Sequence, residues 1–162
     1  ELAQLAVGDL RGLLHELRTP EAATATGDEA LPLVDAVNRL LRLMVPTALA
    51  TRCDFAAYAE QQPEQEQALL RIVQEAVSNA VRHAAATHLQ VSAAMTAEQV
   101  VVRIEDDGRG LPRRRRRGVG LGLESMRARA QALGGQLKTR RGTDRGTCIE
   151  VWLPRRDRET GA

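Results

Sequence analysis

The chain has 162 residues, which is the length of one domain with a short extension. Its formal net charge of +2 does not indicate a nucleic-acid binder, and its aromatic content of 2% predicts an aliphatic core. No stretch approaches the roughly 20 apolar residues that span a bilayer, and no signal peptide is recognisable. Cys53 and Cys148 have neither CxxC nor metal-ligand spacing, so we interpret them as buried or half-buried thiols in a reducing compartment.

Hydrophobic periodicity divides the chain into helices and strands. Apolar residues recur at helical spacing over 1–18 and between Leu69 and Ala84, whereas β-branched residues dominate 99–105. In chain order, the predicted elements are a helix over 1–18, a linker over 21–30, a helix over 31–44, a strand within 48–58, a helix over 64–85, strands over 88–95 and 99–105, a loop over 107–122, a helix over 123–133, and strands over 136–140 and 147–153. This order predicts an α/β two-layer sandwich, a mixed sheet with helices on one face, preceded by a helical segment.

The helix predicted over 64–85 carries a polar face. At positions i, i+4, i+7 and i+8 on that face stand Glu75, Asn79, Arg82 and His83. Asn79 offers a neutral oxygen to Mg²⁺, a cation that takes one or two protein oxygens and completes its octahedron with phosphates and waters. Taken alone, such a face is more often ordinary solvated helix surface.

The segment DDGRG directly follows a hydrophobic strand. The Asp106 carboxylate at the strand end can accept a hydrogen bond from an exocyclic amine such as that of adenine. Gly108 and Gly110 let the backbone pass close to a planar ring. A plain Asp-Gly turn explains the same letters when they are considered alone.

Two further segments are typical of nucleotide sites. GVGLGL, residues 118–123, opens a helix, and glycine-rich loops in that position bind phosphates through backbone N–H groups and the helix dipole. It is not a P-loop, because no GK[ST] follows, and the acidic DDG precedes it rather than following as in a Rossmann unit. RGT enters the last strand, where the Thr147 hydroxyl could hydrogen-bond a base, although a simple β-bend gives the same pattern.

Together these segments resemble the Bergerat-type ATPase fold shared by gyrase, certain chaperones, mismatch-repair proteins and histidine kinases. QEAVSNAVRHA, VRIEDDGRGLP, GLGLESMRARAQALGG and RGTCIEVWLP are similar to the histidine kinases typified by nitrate/nitrite sensors, and the resemblance covers roughly 31–154. It implies the ATP-binding catalytic domain of a two-component sensor histidine kinase. Such a domain transfers the γ-phosphate to a histidine on the dimerisation hairpin, for relay to a response regulator, in a homodimer anchored in the inner membrane with this domain in the cytoplasm.

The resemblance also implies roles for individual residues, with ATP and Mg²⁺ as cofactors. The implied roles are Mg²⁺ coordination by Asn79, positioning or activation of the attacking group by Glu75, phosphate contacts by Arg82 and His83, recognition of the adenine amine by Asp106, shaping of the adenine pocket by Gly108 and Gly110, lid hinges and a phosphate contact at Gly118, Gly120 and Gly122, and support of the base by Thr147. The lid between Gly110 and Gly118 is short and lacks the Phe box of larger kinases, and GVGLGL offers more than one match to the family's GxG.

LLHELRTP, which contains His15, resembles the phosphoacceptor box of the commonest histidine kinase class. Four prolines interrupt the chain between His15 and Asn79, and an interior proline costs a helix ~3 kcal/mol, so no long second hairpin helix fits there. We therefore interpret 1–30 as the end of the second hairpin helix plus a linker, and we expect the phosphoacceptor to lie upstream of this fragment. The catalytic domain is predicted over 31–156, and a tail over 157–162.

Two other functions fit the same fold, an anti-sigma-factor-like serine kinase and a degenerate interaction domain that no longer turns over ATP. The arginine run 113–117 lies in the predicted lid, where it could attract ATP or an acidic partner, or simply be a solvated loop. No aromatic residues accompany it, which argues against a nucleic-acid partner.

Overall fold

The structure is a computed structural model that describes residues 31–110, 121–142 and 145–157, all within the second of the two units into which the chain divides, Leu31–Ala162. Its elements in chain order are α1 (Leu33–Met44), β1 (Ala50–Asp54), α2 (Pro63–Asn79), a π-helical turn (Ala80–Ala84), β2 (His88–Met95), β3 (Gln99–Asp106), α3 (Leu121–Ala132), β4 (Gln136–Arg141) and β5 (Thr147–Pro154). No helix among these residues is long and apolar enough to cross a membrane.

The described strands form one mixed sheet in the order β1-β2-β3-β5-β4. β1 runs parallel to β2, whereas the β2–β3, β3–β5 and β5–β4 pairs are antiparallel. The predicted two-layer α/β sandwich is confirmed. Because β3 and β5 are central and antiparallel, the end of β3 lies beside the start of β5, and this edge positions the candidate site.

One face of the sheet packs against the helices. Val91, Val102 and Val151 are fully buried on three neighbouring strands. The buried apolar face of α2 consists of Leu69, Ile72, Val73, Ala76 and Val77. Burying one such aliphatic side chain contributes about 1.5–3 kcal/mol. The aliphatic core predicted from the low aromatic content is therefore confirmed.

The opposite face of the sheet carries a buried charge. Glu150 on β5 is 2% exposed because two arginines from the neighbouring strands lie beside it. Arg103 donates a hydrogen bond to its Oε1, and the Arg140 guanidinium lies 2.7 Å from Oε2 as an ion pair. The Trp152 ring lies 5.2 Å from Lys138 Nζ and 5.9 Å from the Arg140 guanidinium. This face is therefore closed by long basic side chains rather than by a second layer of helices.

The first helix obtains its N-terminal cap from another element. Pro32 stands at the N-cap of α1 and has no side-chain acceptor for the orphan backbone donors. Glu66 on α2, only 8% exposed, supplies one: its Oε2 accepts from Leu33 N at 3.3 Å. Its Oε1 accepts from the Tyr58 hydroxyl at 2.9 Å and from Gln61 N at 3.1 Å. One carboxylate thus ties α1, α2 and the connection between β1 and α2 together.

The helix predicted over 64–85 is α-helical up to Asn79 and then changes register. Residues Ala80–Ala84 form a π-helical turn, and Ala85 ends it with a left-handed φ of 48°. The π turn bonds i to i+5, so the angular spacing assumed for Arg82 and His83 does not apply beyond Asn79. Such turns occur frequently at functional sites.

Gly122 was predicted in the loop over 107–122, and this placement is wrong, because the structure puts Gly122 in the first turn of α3. The strand within 48–58 is confirmed as the shorter β1, and both cysteines are free, Cys53 half-buried and Cys148 buried. The helix over 1–18 with His15, the linker, and the arginine run 113–117 lie outside the described residues.

Candidate functional site

Asp106 ends β3 and is the most constrained of the predicted site residues. It is 7% exposed, and its Oδ1 accepts from Gly108 N at 2.9 Å and from Thr147 N at 3.3 Å. The Thr147 side chain adds a further hydrogen bond to the carboxyl. Burial raises the pKa of Asp106 above its ordinary value, against the opposing effect of these donors. The structure therefore brings three predicted residues together and holds one carboxylate rigidly at the β3–β5 edge.

Gly108 joins this edge to the helix layer. A Cβ on Gly108 would collide with the carbonyl oxygen of Ala84, which closes the π turn. The same carbonyl accepts a hydrogen bond from Arg109 N at 2.8 Å. A glycine is thus required for the loop after β3 to dock on the end of the π turn, five residues beyond Asn79.

Gly110 and Gly146 bring the chain close to the start of β5. Gly110 has a φ of +74°, and a Cβ there would collide with the carbonyl oxygen of Arg145. A Cβ on Gly146 would collide with the carbonyl oxygen of Asp106. Sequence reasoning assigned Gly146 no role of its own, although its place in RGT, next to a strand, was the available signal. The structure makes Gly146 a wall of the same site as Asp106.

Asp107 holds the loop beneath the site, and sequence reasoning assigned it no role. Its Oδ1 accepts from Thr87 N at 2.7 Å and from His88 N at 2.9 Å, while its Oδ2 accepts from the Thr87 hydroxyl at 2.6 Å. His88 Nδ1 lies 2.9 Å from Oδ2. The Thr87 hydroxyl, followed by the His88 backbone, lowers the pKa of the Asp107 carboxyl below its usual range. Asp106 and Asp107 therefore have different roles, because Asp107 anchors the start of β2 whereas Asp106 lies in the candidate site.

Glu75 and Gly122 form a second contact, between α2 and α3. A Cβ on Gly122 would overlap Glu75 Oε1 and approach its Cδ to 3.1 Å. Glu75 and Asn79, one helical turn apart, are both half-buried. The carboxylate of Glu75 is thus held where α3 begins, directly after the residues predicted as the lid.

The remaining predicted residues divide into two groups. Arg82 and His83 lie exposed on the π turn, and their side chains form no ion pair with another described residue. Gly118 and Gly120 lie outside the described residues.

Comparison with known proteins agrees with this geometry. The family model described as histidine kinase-, DNA gyrase B-, and HSP90-like ATPase matches residues 64–157, from the first turn of α2 to the end of the described chain. The matched region contains Glu75, Asn79, Asp106 and Thr147. It excludes α1, which the structure nevertheless packs against α2.

Two curated relatives are a histidine-protein kinase/phosphatase and a sensor protein. The chain is 34% identical over 164 residues to the signal transduction histidine-protein kinase/phosphatase UhpB of Salmonella typhimurium, covering 96% of this chain and 30% of the relative. It is 39% identical over 83 residues to the nitrate/nitrite sensor protein NarX of Escherichia coli, covering 51% of this chain and 14% of that protein. The chain therefore spans less than a third of the length of these relatives.

Solved structures show the same fold. The histidine kinase domain of the Erythrobacter litoralis EL346 blue-light activated histidine kinase has a TM-score of 0.64 and 25% identity, covering 83% of this chain and 67% of that one. The ATP binding domain of PrrB from Mycobacterium tuberculosis has a TM-score of 0.62 and 25% identity, covering 77% and 95%. With its match to more than half of the sequence, the chain belongs to the histidine kinase-, DNA gyrase B- and HSP90-like ATPase family.

Proposed function

We propose that this chain is the ATP-binding catalytic domain of a two-component sensor histidine kinase, and that it presents the γ-phosphate of Mg–ATP to a histidine on a dimerisation hairpin. The observation that supports this most strongly is the buried Asp106 carboxylate, fixed by Gly108 and Thr147 between glycine walls. UhpB and the EL346 protein are named as histidine kinases and NarX as a nitrate/nitrite sensor, and none of them supports the serine kinase alternative. Calorimetric titration with Mg–ATP tests it, and absence of binding by the folded chain at millimolar nucleotide would refute it.

The adenine role of Asp106 follows from its protein contacts. Both backbone donors bond to Oδ1, which orients the carboxyl group and fixes its plane. A carboxylate held in this orientation accepts a hydrogen bond from the exocyclic amine of adenine. Guanine carries a carbonyl at the same position, and that carbonyl has no proton to donate to the carboxylate. A hydrogen bond to a charged group contributes about 1.5–3 kcal/mol, which is enough to select between the two purines.

The magnesium role of Asn79 rests on its place in α2. Its half-buried amide forms no side-chain hydrogen bond with another described residue, so its oxygen is available at the last α-helical position before the π turn. A neutral amide oxygen suits Mg²⁺, whose remaining ligands are commonly phosphates and water. When bound, the ion supplies neutralisation of phosphate charge, and Asn79 contributes a fixed oxygen.

Replacing Asn79 by alanine should weaken Mg–ATP binding by about tenfold or more, because one metal ligand is lost, a change of the size of 1.4 kcal/mol. Adenosine, which carries no phosphate, should bind unchanged. Calorimetry with Mg–ATP and with adenosine distinguishes the loss of a metal ligand from damage to the fold. Ser92→Ala, on β2, is the control for a polar-to-alanine change elsewhere. Equal losses for ATP and adenosine would show that Asn79 supports the fold rather than the metal.

The role proposed for Glu75 is to position or activate the attacking histidine. Gly122 leaves space for its carboxylate, and the atom that a Cβ would meet is the far end of a flexible side chain. Gly122→Ala should therefore leave the fold nearly intact while displacing the carboxylate, and a parallel loss of ATP affinity would show that Gly122 also contacts the phosphates. Misplacement of a catalytic group by 1 Å can cost about 10²-fold in rate.

We expect Gly122→Ala to slow phosphohistidine formation on the sensor's own hairpin by about 10- to 100-fold. Shortening the displaced side chain with Glu75→Asp should restore part of the rate in the Gly122→Ala background, although Glu75→Asp alone should be slow. Acid-labile phosphohistidine is the readout, with ATP affinity measured in parallel. Additive losses in the double variant would mean that the two residues act independently.

The wider assembly is part of the same proposal. Residues 1–30 would be the end of the second hairpin helix with its linker, 31–156 the catalytic domain and 157–162 a tail, in a homodimer that passes phosphate to a response regulator. The domain would lie in the cytoplasm, below a membrane anchor outside this chain. His15 would then not be the acceptor, so labelled ATP should give no phosphohistidine on it.

A further inference from the structure

A basic cleft opens at the edge of the sheet, beyond the wall of the candidate nucleotide site. It has a volume of about 340 Å³ and is lined by Arg109, Gly110, Thr139, Arg140, Arg141, Arg145 and Gly146. Four of these residues are arginines, and none of the described residues that line the cleft is acidic. The cleft shares Gly110 and Gly146 with the wall of the candidate nucleotide site, whereas Glu75, Asn79 and Asp106 do not line it, so it lies beside the proposed nucleotide contacts.

The described residues leave most of the positive charge of this cleft uncompensated. Among the described residues, Arg140 pairs with Glu150, whereas Arg109, Arg141 and Arg145 form no ion pair. Glu150 is shared with Arg103 and lies buried, so it offers little to the cleft. Several arginines around one concave space focus a positive potential that favours an anion.

The backbone around the cleft is held in unusual conformations. Arg145 has a φ of 82°, which is rare for a residue with a side chain, and Gly110 beside it has a φ of +74°. A strained non-glycine residue persists only where its surroundings fix it, and such residues cluster at ligand sites. The cleft also borders β4, the last strand of the sheet, whose outer backbone groups have no neighbouring described strand.

We propose that this arginine cleft binds a small polyanion with two adjacent phosphoryl groups, on the far side of the glycine wall that it shares with the nucleotide site. Guanidinium groups match phosphate oxygens with paired hydrogen bonds, and several of them suit adjacent phosphoryl groups better than a single carboxylate. The concave shape favours a compact ligand over the flat surface of an acidic protein. The ligand is either a free polyphosphate or the diphosphate end of a second nucleotide. This inference goes beyond the proposed kinase function, because a nucleotide at Asp106 does not require it.

Pyrophosphate is the probe, titrated calorimetrically into the chain in EDTA, with and without saturating adenosine, which carries no phosphate. We expect binding in both cases and a weaker affinity at higher salt, because solvent-exposed charges are screened. Arg141→Ala should weaken pyrophosphate by about tenfold or more, the value of one charged hydrogen bond. It should leave Mg–ATP affinity unchanged. Arg39→Ala, an exposed arginine on α1, is the matched control and should change neither.

A second variant keeps the test independent of folding. Arg145→Lys retains the charge but loses the paired donors, so it should weaken pyrophosphate while thermal unfolding stays unchanged. If Asp106→Asn still binds ADP and the further change Arg141→Ala removes that binding, the ligand of the cleft is a nucleotide diphosphate. If no such binding is found, the ligand is a free polyphosphate. The proposal is overturned if saturating adenosine displaces pyrophosphate completely, if Arg141→Ala binds pyrophosphate like wild type, or if a glutamate-rich peptide binds the cleft and pyrophosphate does not.

Discussion

Replacing Asp106 by asparagine is expected to weaken ATP binding by about 100-fold, with loss of the preference for ATP over GTP. The change removes one hydrogen bond to a charged acceptor, which contributes about 1.5–3 kcal/mol to binding. An amide that donates hydrogen bonds takes the place of that acceptor. The asparagine oxygen can still accept from Gly108 N and Thr147 N, so the amide NH₂ is the group left to face the adenine amine. The fold should therefore survive a change that removes recognition of the base.

The stability of this variant should move in the opposite direction from its affinity. Burial raises the pKa of Asp106 in the folded chain above its ordinary value near 3.8, so the native state holds the proton more tightly than the unfolded state does. The resulting contribution to stability is complete below the unfolded pKa and is lost as the pH rises through the folded pKa. Asparagine does not titrate. The variant should gain stability relative to wild type as the pH rises from about 3.8, as urea unfolding at several pH values would measure.

Asp35→Asn is the control, because Asp35 is an exposed acid on α1, away from the β3–β5 edge. It should change neither ATP affinity nor selectivity. Full ATP-over-GTP preference in Asp106→Asn would show that another group recognises the base, and the proposed site would then lose its main support.

The sequence was sufficient to predict the layers and the central carboxylate. Alternating β-branched residues marked β3, and the acid at its end could be placed at a sheet edge because a strand must stop at Asp-Gly. The π turn was not predictable in this way, since the spacing of the buried Ala80 and Ala84 also fits one face of an ordinary α-helix. Hydrophobic periodicity indicates which side of a helix is buried, but it does not indicate which carbonyl oxygen accepts each backbone hydrogen bond.

Contacts between distant residues were the other part that could not be predicted. Asp107 and Gly146 lie within recognised motifs, yet their partners, Thr87 and the Asp106 carbonyl, come from elements that only the folded sheet brings together. Glu66 is the clearest case. An acid in the first turn of a helix is explained by the helix dipole alone, and nothing local distinguishes Glu66 from the exposed Glu64 two positions earlier.

Replacing Glu66 by alanine is expected to destabilise the domain by about 3–5 kcal/mol, because three donors lose their acceptor at once and each unsatisfied buried group costs about 1–3 kcal/mol, partly relieved by water. The donors are Leu33 N, the Tyr58 hydroxyl and Gln61 N. Domains of this kind have a total stability of about 5–15 kcal/mol, so much of the population would unfold under mild stress. Denaturant unfolding measures the change, with far-UV circular dichroism reporting the loss of α1.

Glu64→Ala is the matched control, since it removes the same charge from the same helical turn at an exposed position and should cost less than about 1 kcal/mol. Tyr58→Phe removes one donor without leaving Glu66 buried and unbonded, so it should cost about 1 kcal/mol. In the Glu66→Ala background the same change should cost less, because the hydroxyl has already lost its acceptor. If Glu66→Ala and Glu64→Ala unfolded at the same denaturant concentration, the hydrogen bonds that Glu66 accepts would contribute nothing to stability. The apolar face of α1 alone would then hold it to α2.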